Sequence, residues 1–204
     1  MNEIGGAMKW KYRPMFGIPK GTWKIGAIWD QAYLETAQYV LKGVVNGELN
    51  PYVHGVTGVF LFRHYVELEL KYVLFHTRWL KNKDTNATKE EIDAIEPIHY
   101  LDRLWQAVKT ETPDKIGKDA WKGFDIAFID NVVRDLYNVD PGSFGFRYNG
   151  KVFGKEEAGE ELRVDFEAIL DQSQHVYNVL HSMKVYLIET YGMNADWQAE
   201  MNSW

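Results

Sequence analysis

An apolar run from Val59 to Phe75, broken by Arg63, His64, Glu67, Glu69 and Lys71, limits what this chain can become more than any other stretch. Ionisable groups at that density exclude a bilayer span, since each charge near the membrane centre costs about 3 kcal/mol on insertion scales. Apolar residues still occur on every side of a helix drawn through the run: Val66 and Val73, then Leu61, Leu68 and Phe75, then Leu70 and Leu74. A helix that is apolar all round is an interior one. The run therefore predicts a core helix whose charges are paired or face a cleft, because an isolated buried charge is too costly to keep.

Residues four apart share a helix face, so Arg63, Glu67 and Lys71 form one ladder with the acid between two bases. That ladder has two readings. In one it is a structural ion network that fixes helix register, the weightier outcome on physics alone. In the other it lines a polar cleft in which Arg63 binds an anion and His64 exchanges a proton near neutral pH, with Glu67 a third candidate catalytic residue.

The rest of the composition supplies a core for such a helix to occupy. The 204 residues fit one domain, and 46% are hydrophobic, with 8 Trp, 12 Tyr and 10 Phe to bury large areas. There are no cysteines, which excludes disulfides, thiolate zinc sites and cysteine nucleophiles and suits a reducing cytoplasm. The start, Met1-Asn2-Glu3-Ile4-Gly5-Gly6, has no apolar segment behind a basic one, so no secretory signal is expected. A net charge of −6, with no run of basic residues, argues against duplex DNA as a partner.

Along the chain, glycine and proline interleaved with Trp10, Tyr12, Phe16 and Trp23 mark residues 1–26 as an aromatic arm packed on the domain. A mainly α, single-domain bundle of four to five long helices is expected over 27–191, with a tail at 192–204. The expected helices cover about 27–45, 52–80, 98–109, 119–138 and 165–191. Asn149-Gly150 between aromatic-rich runs predicts a short β-hairpin near 143–154. Thr88 and Glu91 have the spacing of a capping box.

Outside the ladder, His99 at the head of its helix and Arg147 with Tyr148 in the hairpin are candidate ligand-binding residues, as is Lys71 within it. His175 and His181, six apart, fall on different faces and make no metal pair. No His-Glu-x-x-His, phosphate-binding glycine loop, dinucleotide fingerprint or nucleophile elbow is present, so neither a metal nor a cofactor is expected.

Three segments together carry a resemblance: Phe62-Arg-His-x-x-Glu-Leu-x-Leu-Lys71, then His99-x-Leu-x-x-Leu-Trp105, then Asp140-Pro-x-Ser-Phe-x-Phe-Arg-Tyr148. In this order, over about residues 52–188, the chain resembles the HEPN-like helical family of prokaryotes. The resemblance implies a small, commonly homodimeric bundle. It also implies a role in toxin–antitoxin or phage-defence systems, as an RNA-cleaving effector or as a helical partner of another protein. Nucleolytic members use an Arg and a His separated by four to six residues, and that spacing is absent here. The resulting expectation is a domain that binds a nucleotide, RNA or another anion beside Arg63, His64 and Glu67. The alternatives are a metal-independent ribonuclease and a non-catalytic subunit that binds a partner protein.

Overall fold

The computed structural model describes residues 29–79, 90, 94–140, 142 and 163–189, and among these the regular structure is helical with no strand. The expected arm, tail, capping box and hairpin lie outside the described residues.

Helix α1 (Trp29–Val45) buries Leu34, Ala37, Leu41 and Val44, one stripe at helical spacing. The turn that follows it contains Gly47, whose φ of 75° is open to glycine at little cost. Asn50 then accepts the Tyr52 amide through its side chain and opens a π-helical turn, Pro51–Gly55, that feeds directly into α2 (Val56–Trp79). The expected single helix over 52–80 is thus two pieces. The glycines at 55 and 58, unfavourable for helix by propensity, answer to packing instead. A Cβ on Gly58 would lie 2.9 Å from Leu41, and one on Gly55 would lie 2.5 Å from the Phe166 ring. Both are places where another helix comes against the backbone.

Helix α3 (Leu101–Ile116) starts three residues later than the pattern suggested and ends seven residues later, running through Pro113. Its late start follows Pro97 and an extended Tyr100 (φ −86°, ψ 110°). Its length is held by tertiary contacts that outweigh the proline. The Thr112 hydroxyl pairs with that of Thr77 at 2.7 Å, buried, and Glu111 takes Arg78 in two hydrogen bonds of 2.9 and 3.0 Å. Helix α4 (Ile126–Val139) begins seven residues later than expected, because Gly123 (φ 92°) and Asp125, whose side chain accepts the Phe128 amide, put the start there. Trp121 and Phe124, expected inside that helix, pack onto the core from the preceding turn. Helix α5 (Phe166–Leu187) is capped by Asp165 through the Ala168 amide, as its sequence suggests.

Helix α2 is the centre of the bundle. It packs against α1, α3 and α5, while α4 packs on α3. Phe62, Tyr65, Val66, Leu70, Val73 and Leu74 are all buried, and they share one core with Leu101, Leu104, Trp105 and Val108 of α3 and Val176, Leu180, Met183 and Leu187 of α5. No described helix is long and apolar enough to cross a membrane.

Candidate functional site

The ladder forms, and it is enclosed. Arg63 has no exposed surface. Its guanidinium spends three donors inside the protein: Nη1 to Glu67 Oε2 at 2.9 Å, Nε to the Asp140 carbonyl at 3.0 Å and Nη2 to the His99 carbonyl at 2.6 Å. One side chain thus ties α2 to the entrance of α3 and the exit of α4. A rigid, planar fork suits that task, since its donors diverge at fixed angles.

Glu67 is the hub of this cluster. Oε1 accepts Lys71 Nζ at 2.9 Å and lies 2.9 Å from His99 Nδ1, while Oε2 takes Arg63. Burial alone would push this carboxyl up. The Lys71 charge, with hydrogen bonds from Lys71, His99 and Arg63, outweighs burial and holds it below the usual glutamate range. Glu67 is therefore a carboxylate, which only accepts hydrogen bonds, so Nδ1 of His99 must carry the hydrogen. In the neutral ring the lone pair then sits on Nε2.

Exposure increases outward through the cluster. The Arg63 and Glu67 side chains are 0% and 1% exposed, that of Lys71 is 15% and that of His99 is 36%. Lys71 Nζ also donates to the Glu96 carbonyl at 2.8 Å, which leaves one of its three hydrogens uncommitted to these partners. The groups that can meet a ligand are therefore His99 and Lys71, with Glu67 and Arg63 behind them.

Of the residues singled out in the sequence, Arg63, Glu67, Lys71 and His99 come together. His64 does not join them. Its ring lies edge-on to Tyr33 of α1 at 4.6 Å and stacks on Phe60 at 5.9 Å, on a different side of α2 from α3. Arg147 and Tyr148 lie outside the described residues. Among the described residues no group of acidic and histidine side chains is arranged to hold a metal ion.

A second ionic cluster escaped the sequence reading. On the opposite flank of α2, Lys184 of α5 donates to Asp30 of α1 at 3.0 Å and to Glu69 of α2 at 2.8 Å. The signal on α2 was legible, since Tyr65, Glu69, Tyr72 and His76 share a face at spacings of four, three and four. The partners were not, being 154 and 115 residues apart in the chain.

The chain matches no protein-family model, no curated protein and no solved structure.

Proposed function

We propose that the chain is a HEPN-like helical module of a prokaryotic or phage-related conflict system that binds a phosphate-bearing ligand, a nucleotide or RNA, at His99 and Lys71. The observation that supports this is the 2.9 Å contact of His99 Nδ1 with the buried carboxylate of Glu67, made by an imidazole still 36% exposed. A carboxylate behind a histidine fixes its ring and tautomer, so the ring is organised before a ligand arrives. The Lys71 ammonium beside it, bound to Glu67 at 2.9 Å through one of its three hydrogens, supplies positive charge. Arg63 serves this site as a brace, with its donors turned inward.

A second reading rests on the same contact. A carboxylate-oriented imidazole with a lone pair on Nε2 has the arrangement of a general base, which supports metal-independent RNA cleavage by His99. The two are separated by one set of measurements. Thermal shift against nucleotides and short single-stranded RNA reports binding, and incubation of labelled RNA with the protein in EDTA reports cleavage. Binding by the wild type that is lost in Lys71→Ala and His99→Ala, with RNA left intact, supports the module. Cleavage lost in His99→Ala supports the nuclease. No shift with any nucleotide or RNA overturns the binding site.

A further inference from the structure

Asp30, Glu69 and Lys184 come from three helices and meet away from the site above. Lys184 Nζ sits 3.0 Å from Asp30 Oδ2 and 2.8 Å from Glu69 Oε1, and the three side chains are 7%, 2% and 6% exposed in that order. One ammonium faces two carboxyl groups. Fully ionised, the trio leaves one uncompensated negative charge in the core, the kind of arrangement proteins avoid by protonation. Both carboxyl groups contact the same ammonium nitrogen, which sets them side by side, and each acts on the other's preference for a proton. Glu69 Oε2 is buried with no donor. As an ionised oxygen it can only accept, whereas a protonated glutamate has a hydrogen to donate.

We propose that Asp30, Glu69 and Lys184 form a proton-sharing latch across α1, α2 and α5, closed while one proton sits between the two carboxyl groups and loosened when that proton leaves.

The surroundings fit one proton rather than two or none. Besides the trio, the titratable groups around it are Tyr65, Tyr72 and His76 from α2 and Tyr177 and His181 from α5. Neither α3 nor the π-helical turn places a charged group that acts on Glu69. Tyr65 is pushed upward by burial and by the charges of Glu69 and Asp30, so it stays a neutral phenol. Burial and then Lys184 hold His76 down at about 4, so it brings no second cation near neutrality. The Lys184 ammonium also lies 5.0 Å from the Tyr72 ring centre, over its face. Burial, with Asp30 alongside, raises the Glu69 carboxyl to about 7 against the pull of Lys184. Asp30 moves the other way: burial opposes the change, and hydrogen bonds from Glu69 and Lys184 overcome it. One acid is lifted and its partner lowered, the pattern of two sites sharing a proton.

The sign follows from linkage. Between the ordinary glutamate value of 4.5 and about 7 the folded chain keeps a proton that the unfolded chain has lost. Net stability therefore falls as pH rises through that window and changes little above it, and the latch itself loosens at the upper end, where the proton leaves the folded chain.

The experiment compares wild type with Glu69→Gln, whose amide keeps a hydrogen-bond donor without a charge, and with Asp30→Asn. Urea unfolding and hydrogen exchange of α1 and α5 peptides are followed from about pH 5 to 8.5, and the Glu69 carboxyl carbon is titrated by NMR. The ratio of wild-type to Glu69→Gln unfolding constants should climb about tenfold per pH unit up to roughly pH 7 and then level off. The carboxyl should titrate near 7 in the wild type and move toward 4.5 in Asp30→Asn, where the second acid is gone. A ratio that does not change with pH, or a wild-type carboxyl that titrates as an ordinary glutamate, overturns the latch. So does an Asp30→Asn midpoint equal to that of the wild type. If Glu69→Gln does not fold, the titrations of wild type and Asp30→Asn decide alone.

Discussion

Glu67 and Glu69 stand two residues apart on α2 and are turned roughly 200° from one another about its axis. Each meets a different set of partners. Glu67 is held by Arg63, Lys71 and His99, and its carboxyl is driven down. Glu69 divides a single ammonium with another acid, and its carboxyl is driven up. The same residue type, at near-equal depth in one helix, thus carries opposite preferences for a proton because of what the neighbouring helices bring to it.

Removing Glu67 strands Arg63. In Glu67→Ala the guanidinium keeps its two carbonyl partners and loses its counter-charge in a place with no water contact. A loss of about 3–5 kcal/mol is expected, the usual result of breaking a buried pair from one side. Urea unfolding at neutral pH measures it. A change under about 1 kcal/mol, the range of an exposed pair, would remove Glu67 from its place as hub.

Arg63→Lys tests geometry at constant charge. A single ammonium cannot span the diverging positions of Glu67 Oε2, the Asp140 carbonyl and the His99 carbonyl. Each acceptor left dry costs about 1–3 kcal/mol. The variant should unfold at lower urea with an unchanged slope. Hydrogen exchange should show the loosening first at the start of α3 and the end of α4.

Two components of the acid limb of the stability curve act in the same direction. Glu67 is lowered, so its contribution is present above the ordinary value of 4.5 and is lost as pH falls through its folded value. His76 is held neutral down to about 4, against 6.5 unfolded, so the chain loses stability from this group as pH falls across that interval. In His76→Phe the second component goes. Relative to wild type, its folding constant should gain about tenfold per pH unit on acidification from roughly 6.5 to 4. Parallel curves for the two proteins would show that His76 titrates normally in the fold.

Gly55→Ala should destabilise by about 1–3 kcal/mol, the range for overpacking, since the added methyl falls 2.5 Å from the Phe166 ring. Phe166→Leu makes room. The double variant should therefore recover part of the loss, and a thermal melt of all four proteins gives the coupling. Simple additivity would mean that the ring swings aside without consequence.

Much of this architecture could be read from the chain, and the misses share a cause. The ladder and the interior position of α2 followed from spacing alone, because i and i+4 contacts are local. The stop after Val45 was equally local. Helix ends that depend on partners elsewhere were misplaced. Pro113 argues for an end, and Thr77 and Arg78 on a different helix overrule it. The site was half legible for the same reason. Arg63 and Glu67 were read as a pair. That Arg63 is turned inward depends on two carbonyls at 99 and 140, and no side-chain pattern encodes those. Likewise, Glu69 lay in plain view while Asp30 and Lys184 had no mark to connect them to it.

The partners of Arg63 have an evolutionary consequence. Two of its three acceptors are main-chain carbonyls, which any residue offers. Positions 99 and 140 can therefore drift in ancestry without disturbing the brace, provided the backbone path survives. Lineages descended from the same ancestor should hold an arginine and an acid four apart on their central helix long after the residue at 140 has been replaced.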